Sequence, residues 1–201
     1  MADNDTQTTA PVAIVGAGGH GRVVADIFLA AGRAVAGFLD DRVVGPVSGL
    51  PVLGPFARAL DPCFGRGRAL IVALGDTARR VDLSQAILRA GGALATAIHP
   101  FAILAGGAQV GAGSTVAAAA VIGTGATVGR FCIVNTAAVV DHDCMLGDGV
   151  FLGPGVRLCG GVVAGAGAFL GAGAIVLPGV RIAAGRRVRA GAVVDVDFGP
   201  G

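Results

Sequence analysis

From Ile98 to Val194 an aliphatic residue returns at every sixth position: Ile98, Leu104, Val110, Val116, Ile122, Val128, Val134, Val140, Leu146, Leu152, Leu158, Ala164, Leu170, Val176, Ile182, Val188 and Val194. Small residues recur four places after it, as at Ser114, Ala120, Cys132 and Cys144, and glycine recurs three places after it, as at Gly107, Gly125, Gly149 and Gly161. An amphipathic α-helix has a period of 3.6 and cannot keep this phase. A hexapeptide repeat instead specifies a parallel β-helix, with one large apolar side chain filling the prism from each face and small residues turning each corner. Three such faces make one coil, so residues 18 apart stack on successive coils. A polar side chain in this pattern stands alone on a rigid wall, which is a good place to hold a reacting group.

Composition agrees with a solenoid. Hydrophobic residues are 54% of the chain, yet aromatics are 4% and there are 36 glycines among 201 residues. A net charge of +2 gives no footprint for nucleic acid or an anionic membrane. Every basic residue other than histidine is arginine, so lysine catalysis and Schiff-base chemistry are excluded. The polar N-terminus and the glycine-broken apolar runs predict neither a signal peptide nor a membrane span. The four cysteines lack CxxC spacing, and Cys132 and Cys144 fall on the small inward phase. These features predict a reduced, cytoplasmic protein.

Before residue 96 the six-residue phase is absent. Val12 to Val15 reads as a buried strand, followed by Gly16-Ala17-Gly18-Gly19-His20-Gly21 and a helix ending at Gly32. Ala34 to Leu39 reads as a second strand closed by Asp40-Asp41, Phe56 to Leu60 as a short helix, Ala69 to Leu74 as a strand and Val81 to Ala90 as a helix. This alternation predicts a small Rossmann-like parallel sheet over residues 12–95, with the β-helix over 96–196 and tails at 1–11, expected to be disordered, and 197–201. Gly16, Gly18 and Gly21 fit G-x-G-x-x-G between strand and helix, where free N–H groups and the helix dipole favour a phosphate. Asp40 stands where a dinucleotide fold places its ribose-binding acid. No second domain could receive a hydride, so a phosphate-bearing ligand is the expectation. The loops at Gly18 to His20, Asp40-Asp41 and Gly75-Asp76 all fall at the carboxyl edge of the sheet, where ligands bind in open α/β sheets.

Within the repeat, Asn135 and Asp141-His142-Asp143 interrupt a wall of Val, Ala and Gly. His142 lies between the inward phases of Val140 and Cys144, so it should project outward near a corner. A histidine beside a carboxylate is a general-base arrangement, against the plainer alternative of a solvated surface histidine. Zinc held by three histidines within one chain is not expected: His20 lies in the other domain, and His99 precedes His142 by 43 residues, which is not a multiple of 18. Cys144 faces inward, which argues against a cysteine nucleophile.

Taken in order, the Gly16 to Gly21 loop, Phe38-Leu39-Asp40-Asp41, Leu74-Gly75-Asp76, His99-Pro100 and Asn135-Thr136 through Asp141-His142-Asp143-Cys144 resemble the bacterial sugar acyltransferases of the sialic acid O-acetyltransferase type. The members most alike are acetyl-CoA-dependent N-acetyltransferases of nucleotide-linked 4-amino-4,6-dideoxy sugars. The resemblance implies a left-handed β-helix and a homotrimer with active sites at subunit interfaces. It implies that Gly18, Gly19, His20, Asp40, Asp41 and Gly75 bind the nucleotide sugar, that His142 is the base and that Asp143 raises its basicity. It places acetyl-CoA along the prism wall at Phe151, Gly160, Ala172 and Ala190, with a backbone N–H at Gly160 available to the thioester oxygen. Asp143 replaces a glutamate of some members, Phe151 a histidine and Thr77 an asparagine. The usual C-terminal tail is missing, which leaves part of the CoA pocket open to question. O-acetylation of a sialic acid and a non-catalytic trimeric scaffold or nucleotide-sugar sensor are the alternatives. The residues do not choose among UDP, GDP and dTDP.

Overall fold

The computed structural model describes residues 10–199. Strand β1 (Val12–Val15) is central to a five-stranded parallel sheet with β2 (Val35–Leu39), β3 (Val52–Gly54), β4 (Ala69–Val72) and β5 (Ala93–Leu94), in the order β3-β2-β1-β4-β5. β1 and β4 are wholly buried, as their unbroken apolar runs require when both faces of a parallel sheet are covered. Helix α1 (Gly19–Ala30) buries Val24, Ala25, Ile27 and Phe28 on one face, while helix α2 (Pro62–Gly65) and a 3₁₀ turn over Phe56–Leu60 support the other. Helix α3 (Thr77–Arg89) returns to β5.

The sequence places β1 and the Phe56–Leu60 turn at their observed bounds. It misses β3, a three-residue strand between Pro51 and Pro55 that pairs with β2 through only two residues. It also misses α2 and β5, and it starts α3 four residues late. The start is set by Asp76, whose carboxylate caps the helix by accepting from the Arg79 N–H at 2.9 Å.

The prism begins at Ala97–Ile98, and its two-residue strands form three parallel sheets. The first face stacks Ala97–Ile98, Thr115–Val116, Ile133–Val134, Phe151–Leu152, Phe169–Leu170 and Arg187–Val188. The second stacks Ile103–Leu104, Val121–Ile122, Val139–Val140, Arg157–Leu158, Ile175–Val176 and Val193–Val194. The third stacks Gln109–Val110, Thr127–Val128, Met145–Leu146, Val163–Ala164 and Arg181–Ile182. Pairing is offset by 18 residues throughout, as at Val121↔Val139 and Val139↔Arg157. The fold is a left-handed parallel β-helix. The six-residue aliphatic series fills its core, with Cys132 and Cys144 among the buried small residues. The expected 197–201 tail is docked as far as it is described: Phe198 accepts from Ala183 and donates to Arg181, adding a bridge beside Ile182 on the third face. The expected N-terminal tail lies outside the described residues up to Thr9, as do Pro200 and Gly201.

The two domains share a core. Ala95, Ala97 and Ala117 pack with the side chains of α1 and the sheet. From Gly107 to Gly191 each corner of the prism turns through one residue at positive φ, at a constant phase. Glycine fills most of these places, but Ala119 (φ 57°), Phe131 (58°), Ala137 (55°) and Asp143 (59°) adopt the same left-handed geometry. An L-residue with a Cβ is disfavoured there by roughly 1–2 kcal/mol. Ala137→Gly is therefore expected to stabilise the protein by about 1 kcal/mol, the reverse of the usual effect of Ala→Gly. Urea unfolding of the variant checks this, and a lower midpoint at unchanged m-value would refute the strained-corner account.

Candidate active site

The structure brings Gly18, Gly19, His20, Asp40, Asp41 and Gly75 around one cavity of about 470 Å³ at the carboxyl edge of the sheet. The glycines of the loop have different jobs. Gly16 turns at φ 109°, and a Cβ on Gly21 would lie 1.9 Å from the Gly16 carbonyl oxygen, so both are demanded by the backbone. A Cβ on Gly18 or Gly19 would meet nothing within 4 Å and would point into open space. Helix α1 has neither a side-chain cap nor an acid in its first turn, which leaves its N-terminal dipole to the cavity.

Asp40 is already engaged. Its Oδ2 accepts from the Ala17 N–H at 2.9 Å, and its Oδ1 from Arg42 and Val43 at 2.9 and 3.1 Å. Burial pushes its pKa up, but these N–H groups and the Arg42 charge outweigh that and hold the carboxyl below its usual range. Asp40 thus ties the glycine loop to the loop after β2. Asp41 accepts from the Phe56 N–H at 2.8 Å and orients that aromatic residue at the rim. His20 is held neutral: burial first, then the charge of Arg80, lowers its pKa to about 4. Its Nε2 is buried without a partner among the described residues.

Sequence reasoning missed Phe56, Arg42 and Arg79 at this cavity and Arg80 behind it. The two arginines add positive charge to the rim. A second cavity of about 880 Å³ meets the first at Gly75 and runs between α3 and the prism, past Gln85, Asp148, Phe169 and Arg187.

His142 lies at the corner between the second and third faces, with its side chain 61% exposed. Its Nδ1 is 2.9 Å from Asp143 Oδ2. The left-handed backbone at Asp143 turns the short carboxylate toward the neighbouring ring. The hydrogen bond to Asp143, then the charge of Asp141, raises the pKa of His142 above the usual histidine value. One coil on, a Cβ at Gly160 would lie 2.4 Å from His142 Nε2, so the glycine leaves room for the imidazole in this orientation. The Gly160 N–H donates to no group among the described residues. The arrangement can accept a proton at Nε2 and offer an N–H beside it. The buried thiols offer no competing nucleophile, since burial pushes Cys132 up to about 12 and also raises Cys144.

The four positions expected to contact CoA do not share a wall within one chain. Phe151 is on the first face, stacked on Phe169 at 4.5 Å with Arg187 over the next ring at 4.0 Å. Gly160 is at the corner of His142, and Ala172 and Ala190 stack at the corner between the first and second faces. His99 lies at that same corner and accepts from the Phe101 N–H at 3.0 Å, so no edge carries two histidines. Among the described residues no group of three or more His, Cys, Asp or Glu side chains could hold a metal ion, and no helix is long and apolar enough to cross a membrane.

Residues 11–87 match the PglD N-terminal domain family. No curated protein sequence matches the chain. Among solved structures, the acetyltransferase domain of PglB from Neisseria gonorrhoeae is 36% identical with a TM-score of 0.93, covering 96% of this chain and 94% of that one. The same domain in complex with acetyl coenzyme A is 37% identical at a TM-score of 0.90, covering 94% and 92%. PerB from Caulobacter crescentus, in complex with CoA and GDP-perosamine, is 41% identical at a TM-score of 0.88, covering 93% and 89%.

Glycine substitutions separate the two roles in the loop. Gly19→Ala is expected to keep the wild-type melting temperature within about 2 °C, because its Cβ enters open space, while weakening nucleotide binding at least tenfold. Gly21→Ala should cost at least 3 kcal/mol or abolish folding, because its Cβ collides with a backbone carbonyl. Thermal melts and nucleotide titrations check both, and normal binding by Gly19→Ala would remove that loop from the site.

Proposed function

Since the chain belongs to the sugar acyltransferases of the sialic acid O-acetyltransferase type and is an acetyl-CoA-dependent acetyltransferase, we propose that its acceptor is the 4-amino group of a nucleotide-linked 4-amino-4,6-dideoxy sugar. The observation that carries this reading is the His142–Asp143 pair at 2.9 Å, closed against Gly160, in a chain that also holds a polar cavity at a helix N-terminus. The acceptors named for the similar structures support an amino sugar over a hydroxyl.

The nucleotide sugar would lie in the first cavity, with its diphosphate at the open end of α1 between Arg42 and Arg79 and its base beside Phe56. The amine attacks the thioester carbonyl carbon directly. His142 Nε2 takes the proton from the nitrogen as the C–N bond forms, while Nδ1–H donates to Asp143 and steadies the imidazolium. Negative charge develops on the carbonyl oxygen, where the free Gly160 N–H would donate. Collapse breaks the C–S bond, and His142 returns the proton to the CoA thiolate. The products are the amide and free CoA thiol, so no covalent enzyme intermediate is required.

Two features support assembly of this site between copies of the chain. The nucleotide cavity lies beside the corner between the third and first faces, where Arg80 joins its floor to the Phe131 and Gly149 carbonyls. His142 stands at a different corner. In addition, Ile103, Val121, Val139, Ile175 and Val193 form an outward apolar row on the second face, interrupted by Arg157 between Val139 and Ile175, with Ile103 and Val193 each 61% exposed. A homotrimer would cover this row and bring the corner of one subunit to the cavity of the next. It would also let one CoA touch Gly160 of one chain and Ala172 and Ala190 of another.

The test is release of free CoA thiol from acetyl-CoA with a panel of UDP-, GDP- and dTDP-linked 4-amino-4,6-dideoxy sugars, with sialic acid as control. Turnover with an amino sugar is expected, and His142→Ala should lower kcat by about 10² to 10⁴-fold with folding unchanged. Asp143→Asn removes the interaction that raises the His142 pKa, so its acid limb of kcat/KM should move to lower pH while kcat falls. Full turnover by His142→Ala would end the base assignment, and turnover with sialic acid alone would replace the N-acetyl reading with O-acetylation.

A further inference from the structure

Arg80 is 1% exposed, the one fully buried charged side chain among the described residues. Its guanidinium has no carboxylate partner. Nη1 donates to the carbonyl oxygens of Leu74 at 2.8 Å and Gly75 at 3.4 Å. Nη2 donates to the Gly149 carbonyl at 2.9 Å and to Thr77 Oγ1 at 3.3 Å, and Nε to the Phe131 carbonyl at 2.8 Å. The first two carbonyls belong to the loop that floors the nucleotide cavity, and both Leu74 and Gly75 line it. The carbonyls of Phe131 and Gly149 lie one coil apart on the prism corner. Thus one side chain holds the edge of the nucleotide pocket to the wall of the other domain.

A buried charge satisfied only by neutral dipoles is an expensive way to dock two domains. An apolar side chain of similar volume usually serves at equal or lower cost. What an apolar contact cannot do is fix direction. The guanidinium is a planar fork whose donors point along set lines, and acceptors on two bodies lock translation and rotation together. The rest of the seam is apolar: Val81 and Thr77 stand beside Gly149, and the shared core at Ala95, Ala97 and Ala117 adds burial without directional bonds.

We infer that Arg80 is a positioning residue, which sets the distance and angle between the nucleotide cavity and the prism. This rests on the proposed two-substrate reaction, because only a reaction that spans both domains is sensitive to that register. A displacement near 1 Å at a reacting pair can cost about 10²-fold in rate. Arg80 touches no reacting atom in this scheme. Its charge also acts on His20, which it helps to keep neutral, while Cys132 and then Asp76 act back on Arg80.

The test uses the full-length protein with Arg80→Lys and Arg80→Met. Lysine keeps the charge and loses the fork. For Arg80→Lys, kcat with the amino-sugar substrate should fall roughly 10- to 100-fold, while the dissociation constants for the free nucleoside diphosphate and for acetyl-CoA each stay within about threefold. Independently of turnover, amide hydrogen exchange over residues 73–80 should speed up roughly tenfold in a folded Arg80→Met, because that loop is no longer tied to the prism. By NMR, the His20 pKa should stay low in Arg80→Lys and rise in Arg80→Met. Wild-type kcat in Arg80→Lys, or nucleotide affinity falling in step with kcat, overturns the inference; so does unchanged exchange over residues 73–80 in a folded Arg80→Met. If the wild type acetylates none of the amino sugars, the functional reading fails by itself. The hydrogen-exchange arm then still decides whether Arg80 ties the loop to the prism.

Discussion

Every coil of the prism must turn three corners, and from Gly107 to Gly191 each turn passes through a residue at positive φ on a fixed phase. Most of what is distinctive in the sequence follows from that backbone constraint. It places glycine every sixth residue through long stretches and leaves the intervening positions to aliphatic core and outward side chains. It also explains the geometry at His142. Asp143 occupies a corner position that glycine takes in the coils directly before and after it, at Gly125 and Gly161. The left-handed turn lets a short aspartate reach the adjacent imidazole, so the proposed base sits where the fold is locally least comfortable. Such strain is tolerated only when the surroundings over-determine it, and here the coils above and below supply the backbone hydrogen bonds.

How much of this was legible depends on whether a contact has a sequence signature. The prism was legible because one period controls core, corner and stacking at once. The cavity was legible because Gly16, Gly21 and the Asp40-Asp41 pair follow from strand–turn–helix mechanics. Arg80 was not, since its acceptors are main-chain carbonyls and any residue provides those. Phe56 was not, because its place is fixed by an aspartate fifteen positions earlier accepting from its N–H. β3 was lost among prolines, where a strand two pairs long has no periodicity to show. The scatter of Phe151, Gly160, Ala172 and Ala190 follows from spacing alone. Residues 18 apart share an edge, as His142 does with Gly160 and Ala172 with Ala190, but Gly160 and Ala172 are 12 apart and fall on different edges.

The cavity and the dyad solve opposite electrostatic problems. In the cavity, Asp40 is consumed by three backbone N–H groups, His20 is neutral, and a buried guanidinium is solvated only by carbonyl dipoles. The open helix end and the arginines at the rim then leave a field suited to an anion. At the prism corner, the exposed imidazole faces two aspartates that favour its protonated form. It is a ready proton acceptor, but one that water can also reach.

That exposure bears on the assembly. A general base open to solvent works in a high dielectric, where an aimed N–H or carboxylate is worth little, and the same groups strengthen several-fold once water is excluded. No element of the described chain covers His142, whose side chain remains 61% exposed. On the adjoining second face Ile103 and Val193, at the two ends of the apolar row, are likewise uncovered. Burying that row against another copy would remove apolar surface from water and at the same step screen the corner, so the interaction that drives association would also complete the electrostatics of the base. On this reading oligomerisation and catalysis are one event in energetic terms. The rigid prism, held to the nucleotide domain through Arg80, is what would let a contact on one face fix a distance on another.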